Sequence, residues 1–198
     1  MPVPTTALST SPRREQLLEA AASLFAAKGF HAVGIDDIGA AAGISGPGVY
    51  RHFRGKQALL EALCDRAMSR MLDGARRITA EHDDPYDTLE ALVDLHVLFA
   101  VEERALIGVW VREMRSLSDD VRRSLRQRMR AYEQSWHEVL GQLRDDLDPP
   151  EVAVVAASTL AMLNATAFTT PEVGRDQLAR HLRRMALSAL LSRRAPRR

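Results

Sequence analysis

The residues best equipped for chemistry crowd into one short segment, where Ser45, Tyr50, Arg51, His52, Arg54 and Lys56 fall within twelve positions. Hydroxyl, phenol, guanidinium, imidazole and ammonium groups beside an aromatic ring suit the recognition of phosphate oxygens and base edges. Catalytic patterns fail nearby. Gly43-Ile44-Ser45-Gly46-Pro47 ends in proline where a nucleophile elbow requires glycine, and no strand precedes it. Gly46-Pro47-Gly48 lacks the strand and third glycine of a dinucleotide loop, and no P-loop sequence is present. His82-Asp83-Asp84 offers metal-ligating atoms, but acidic residues just before Pro85 read as a solvated helix end. The sequence therefore predicts no enzyme, no cofactor and no metal site.

The donor cluster needs elements that hold it in place. Helical periodicity runs from Arg13 to Lys28, with Leu17, Leu18, Ala21, Leu24 and Phe25 on one face and Gly29 as its stop. A second helix fits Asp36 to Ala42, a tight turn fits Gly43-Ile44-Ser45, and a third helix fits Gly46 to Phe53 with Ser45 as its N-cap. Ile35, Ile38, Ala42, Ile44, Val49 and Phe53 supply a small apolar core that fixes the third helix steeply against the second. That arrangement is a helix-turn-helix, whose second helix enters a major groove.

Downstream, Lys56 opens a long helix through Leu59, Leu60, Leu63, Ala67, Met71 and Ile78, ended by the cluster before Pro85. Further helices fit Tyr86 to Glu103, Arg104 to Ser116, Asp119 to Leu147, Pro150 to Phe168 and Gly174 to Ser192. Strand signals are nearly absent. The expected class is all-α: an N-terminal three-helix DNA-binding domain at 13–55, then a helical bundle at 56–193, with tails at 1–12 and 194–198.

Composition sets the outer bounds. With 198 residues, 46% of them hydrophobic, the chain can bury a core without staples, and its single cysteine, Cys64, excludes an internal disulfide framework. Cys64 reads as a small core residue in a protein of a reducing, cytoplasmic compartment. The net charge of +1 says little, but residues 1–60 hold six Lys or Arg against four acids while the remainder holds 21 against 22. Only the N-terminal part leans basic. The N-terminus lacks the basic and apolar regions of a signal peptide. The weakly polar run Val152 to Leu163 falls well short of the roughly 20 residues that span a bilayer, so no membrane partner is expected.

From Arg13 to about Leu60 the sequence resembles the TetR family of bacterial repressors. The likeness rests on glycine-aromatic (Gly29-Phe30), Ala-Gly-Ile-Ser (Ala42 to Ser45), Tyr50-x-x-Phe53 and Lys56 opening the linking helix. It implies that Ser45, Gly46, Tyr50, Arg51 and His52 face DNA, with Tyr50 and Lys56 on phosphates. Arg13 and Arg14, just before the first helix, are further candidates for phosphates. Two departures matter. Val33-Gly34 stands where the family often carries Thr-Thr, removing a hydroxyl cap and a phosphate contact. Gly46-Pro47-Gly48 stands where Lys-Gly-Thr is frequent, so direct base readout rests on Ser45, Arg51 and His52, with DNA shape carrying more of the specificity.

In the second half the resemblance implies a dimerisation and sensory domain. Small residues Ala153, Ala157 and Ala161, with Leu178, Leu182 and Met185, suit a two-fold four-helix interface; an ordinary intrachain core is the alternative. Phe99, Trp110, Met114, Trp136 and Phe168 are candidates to line an apolar cavity, with His96, Glu113 and Asn164 as polar contacts. The expected protein is thus a homodimeric, ligand-responsive repressor released from operator DNA by an apolar or amphipathic small molecule. A small-molecule carrier with vestigial DNA binding is the alternative.

Overall fold

The structure, a computed structural model, describes residues 12–169 and 172–193. Most of the two expected tails and the expected break at Thr170-Pro171 lie outside the described residues; Pro12 opens the first helix rather than closing a tail. Nine α-helices are described: α1 (Pro12–Lys28), α2 (Ile35–Ala41), α3 (Gly46–Val49), α4 (Lys56–Glu81), α5 (Pro85–Glu102), α6 (Arg104–Glu113), α7 (Asp119–Leu143), α8 (Pro149–Asn164) and α9 (Arg175–Leu191). Tight 3-10 turns extend α6 through Met114–Ser116 and α8 through Ala165–Phe168. No strand occurs among the described residues, so the fold is all-α.

Local chemistry sets the helix ends. The Asp84 carboxylate accepts the Tyr86 and Asp87 N–H groups at 2.8 and 3.0 Å, and Pro85 fills the first helical position, where no donor is needed. The acidic cluster before Pro85 therefore contains a helix cap. At α8, Asp148 and Glu151 cap each other reciprocally at 2.9 and 3.0 Å. Helix α7 stops at Leu143, short of the expected Leu147, because Arg144 leaves helical geometry. Its buried guanidinium donates to the Leu190 carbonyl at 2.7 Å and pairs with Asp146 at 2.7 Å, which pins the end of α9.

A continuous core joins the two halves, from Leu17 and Phe25 in α1 through Leu59 and Leu63 in α4 to Trp136 and Leu190. Helix α4 spans it, packing on α1, α5, α6 and α7. Cys64 sits in this core at 1% exposure, and burial pushes its thiol up to about 12, so it stays protonated and unreactive at neutral pH. The apolar stretch of α8 is longer than Val152 to Leu163: Pro149–Phe168 is long and apolar enough, by those two measures, to cross a membrane. One side is committed to the core through Val152, Ala156, Thr159, Leu160 and Leu163. Val154, Ala157, Ser158 and Ala161 on the other side are exposed.

Candidate nucleic-acid interface and adjoining cavity

The turn between α2 and α3 is built as its residues require. Gly43 takes φ +69°, a left-handed conformation natural to glycine, and Ser45 Oγ accepts the Gly48 N–H at 3.3 Å as the N-cap of α3. Helix α3 itself is one turn long rather than reaching Phe53, because Gly and Pro are the weakest helix formers and occupy three of its four positions. The chain continues as a tight turn, with His52 N and Phe53 N both donating to the Val49 carbonyl at 2.9 and 3.0 Å. Val49 and Phe53 face the core, whereas Tyr50 is 59% exposed. Arg51, Arg54 and Ser45 are also exposed, and His52 is half-buried. Four of these five donor side chains are thus open to solvent and the fifth is partly so.

Two of the expected DNA-facing residues are turned to other work. Gly46 is buried beneath the Asp36 carboxylate, and it is Gly39 whose Cβ would meet backbone across the turn, 2.9 Å from the Ile44 carbonyl oxygen and 3.2 Å from Gly46 N, so the close approach of α2 to the start of α3 needs glycine there. Lys56 is half-buried; its Nζ donates to the carbonyls of Phe30 at 2.9 Å and His31 at 3.3 Å, and lies 4.6 Å from the Phe30 ring centre. Arg13 and Arg14 are likewise engaged: Arg13 donates to the Ala42 carbonyl at 3.1 Å, and Arg14 lies 4.6 Å from the Phe53 ring centre. At the start of α2 no N-cap side chain accepts from the first turn; the Asp37 carboxylate supplies only the reciprocal contact, accepting the Gly34 N–H at 2.8 Å.

The end of α6 reaches this unit directly. Glu113, 8% exposed, accepts the Phe30 N–H on Oε1 at 3.0 Å and the Ser116 hydroxyl on Oε2 at 3.2 Å. Arg112 donates to the Ala26 carbonyl at 2.8 Å, and Gln57 to the Ser116 carbonyl at 2.8 Å. Glu113 is not among the residues that line the cavity between α4 and α8; its helix end turns toward α1, and Met114 packs against the core just beyond it.

A cavity of about 250 Å³ opens among α4 to α8. His96, Phe99, Trp110 and Asn164 line it as the sequence suggested, joined by Met68, Met71, Met129, Tyr132 and Glu133, which sequence reasoning missed. Met129, Tyr132 and Glu133 share one face of α7 at helical spacing, a pattern that marks a face without saying what it covers. Two expected aromatics are elsewhere. Trp136 is fully buried behind the wall, its ring 6.1 Å from His96 and 6.2 Å from Tyr132, while Phe168 is 57% exposed. The Trp136 indole N–H is buried without a hydrogen-bond partner among the described residues.

The polar end of the cavity is a chain of three side chains. His96 Nε2 lies 3.1 Å from Asn164 Oδ1, and His96 Nδ1 lies 2.8 Å from the Tyr132 hydroxyl. With the amide oxygen facing the ring, Nε2 carries the proton and Nδ1 accepts from the phenol. Burial pulls His96 down to about 4, against the Asn164 bond that favours its charged form, and burial pushes the Tyr132 phenol far above its ordinary range. Both groups are neutral at neutral pH.

The residues expected at a dimer interface divide. Met185 is 48% exposed and Ala157 and Ala161 are exposed, the latter two also bordering the cavity. Ala153 and Leu178 are half-buried. Leu182, 7% exposed, belongs to the intrachain core because it faces inward from α9.

Both halves of the chain match known families. Residues 17–63 match "Bacterial regulatory proteins, tetR family", and residues 82–190 match "Tetracyclin repressor-like, C-terminal domain". The HTH-type transcriptional activator FasR of Mycolicibacterium smegmatis is 37% identical over 87 residues, which cover 44% of this chain and 40% of that protein. The HTH-type transcriptional repressor KstR2 of Rhodococcus jostii is 29% identical over 145 residues, 70% of this chain and 71% of that protein. The fold matches the crystal structure of a TetR-family transcriptional regulator from Bordetella parapertussis with a TM-score of 0.80 at 23% identity, over 94% of this chain and 100% of that one. With a helix-turn-helix at residues 35–53 and the family's C-terminal unit matching more than half of this chain, the chain belongs to the TetR family of bacterial regulatory proteins and is a transcriptional regulator of that family.

Proposed function

We propose that the protein is a cytoplasmic, homodimeric repressor released from operator DNA by an apolar or amphipathic small molecule bound in the α4 to α8 cavity. One observation carries this reading: Trp110 lines the cavity, and Glu113, three residues later on the same helix, holds the Phe30 N–H of the DNA-binding unit. A ligand that displaces α6 therefore pulls on the turn that seats α1 against α2. Release requires that the ligand prefer one of the two arrangements, since equal affinity for both shifts nothing. Ser45, Tyr50, Arg51 and His52 form the DNA-reading surface. The exposed apolar faces of α8 and α9, with Val154, Ala157, Ala161 and Met185, pair two copies so that their α3 turns meet successive major grooves about 34 Å apart. Repression is favoured because the similarity to a named repressor extends over 70% of the chain, against 44% for the activator.

A small-molecule carrier with vestigial DNA binding is the second reading, favoured by the one-turn α3 and its scarcity of base-reading side chains. Fluorescence anisotropy on duplexes from the chain's own upstream DNA, titrated with candidate ligands while Trp110 emission is followed, separates the two. The repressor reading requires specific binding, and release that tracks the emission change; ligand binding with no specific DNA complex supports the carrier.

A further inference from the structure

We infer that the cavity selects uncharged molecules that present a carbonyl oxygen to the Asn164 amide, and rejects carboxylates of the same size. The inference rests on the reading of this cavity as the effector site. Among the described residues that line it there is no Lys or Arg, and their one formally charged group is the half-buried Glu133 carboxylate. His96 offers no compensating cation: burial keeps it neutral, and both of its ring nitrogens are already occupied by Tyr132 and Asn164. Tyr132 spends its proton on His96. That leaves the Asn164 NH2 group, whose oxygen is committed to His96 and whose nitrogen has no protein acceptor among the described residues. A donor without an acceptor on an otherwise apolar wall recognises an acceptor such as an ester, thioester, ketone or amide carbonyl.

A carboxylate in the same place would lose its hydration, meet no cation and face Glu133. The remaining wall, with Phe99, Ile107, Trp110 and the three methionines, takes a flexible or ring-shaped hydrocarbon body. The volume of about 250 Å³ lies near the lower end of small-molecule sites, which suits a short chain or a single ring system.

Methyl octanoate, octanamide and octanoate, matched in length, distinguish the possibilities by titration calorimetry with the full chain at neutral pH, with tryptophan emission followed in parallel. Methyl octanoate and octanamide are expected to bind at least about 10-fold more tightly than octanoate, and Asn164→Leu to remove most of that advantage from the ester. Glu133→Gln, which leaves Asn164 and its contacts in place, is expected to raise octanoate affinity several-fold. Octanoate binding as tightly as the ester overturns the inference while leaving the cavity as the effector site. Binding of the amide but not the ester overturns the orientation of Asn164 on which the inference stands. If none of the three binds with a change in tryptophan emission, the cavity reading fails and the inference falls with it.

Discussion

The Glu113 carboxylate holds the backbone N–H of Phe30 at 3.0 Å across 83 positions of sequence, from a site that is 8% exposed. On the other side of the same residue, Lys56 Nζ holds its carbonyl at 2.9 Å. Phe30 is therefore held by the end of α6 and by the start of α4, and its turn is one of the contacts that tie the helical bundle to the helix-turn-helix unit, beside the packing of α1 on α6 and α4.

Glu113→Ala leaves a buried N–H without an acceptor, which costs about 1–3 kcal/mol. The thermal midpoint should fall accordingly, and ligands should still bind the cavity but lose their effect on DNA affinity. Glu113→Gln keeps an amide oxygen where Oε1 stands and should retain most of both properties. Thermal unfolding with parallel ligand and DNA titrations checks this; full ligand response in Glu113→Ala would remove α6 from the relay.

Lys56 serves two carbonyls, so Lys56→Met should destabilise the fold by about 2 kcal/mol, the scale of a hydrogen bond from a charged donor. DNA affinity should fall by a similar factor on every sequence, because the loss acts through the pose of the whole unit. With two ammonium protons already committed, the salt slope should change by less than the roughly 1 expected for a released phosphate contact. Chemical denaturation and anisotropy at several salt concentrations separate the two contributions.

His96 imposes a pH dependence. Its folded value of about 4 lies below the 6.5 of an exposed histidine, so between those values the unfolded chain binds the extra proton. Stability is unaffected by this group above pH 6.5 and falls as pH drops through the window, by up to about 3 kcal/mol. His96→Gln should flatten that part of the profile, although the Tyr132 hydroxyl then needs a new acceptor. Thermal midpoints of both proteins across the window test the assignment; an unchanged acid slope in the variant would move its origin to other groups.

Val154 is 65% exposed on α8 and lines neither the core nor the cavity. Val154→Asp should therefore fold with an unchanged melting profile when measured as monomer, yet fail to dimerise, because a buried unpaired carboxylate would lie in the close helix contact. Sedimentation velocity at low micromolar concentration reads this out. A folded Val154→Asp dimer would place the interface elsewhere. Ala157 is a poorer probe, since it also borders the cavity.

The helices were legible because their signals are local: Gly29 as a stop, Gly43 in a tight turn, Ser45 as a cap and Pro47 in a first turn; the capping role of Asp84, in a cluster that reads as a solvated helix end, was not. The exposed Tyr50 and Arg51 follow from the same local register. What the sequence hides is pairing over long separations. Nothing near Glu113 announces that its partner is the Phe30 N–H, and nothing near Lys56 says that its ammonium is held by two carbonyls rather than left free for phosphate. Within the bundle, aromatic character alone does not tell a wall from what lies behind it, so Trp110 and Trp136 look alike in sequence although only Trp110 meets the cavity. Leu182 and Met185 likewise share α9, and only the geometry of packing turns one inward and the other out.

Specific DNA recognition by the surface around Tyr50 and Arg51 is measured most directly by selection from a random duplex library with the purified full chain. Wild-type protein should enrich a two-fold symmetric motif with half-sites spaced by about one helical turn. Arg51→Ala should lose about 1–3 kcal/mol of preference at one base pair in each half while leaving the spacing unchanged. Enrichment of no motif by the wild type, or of the same motif with the same preferences by Arg51→Ala, would contradict it.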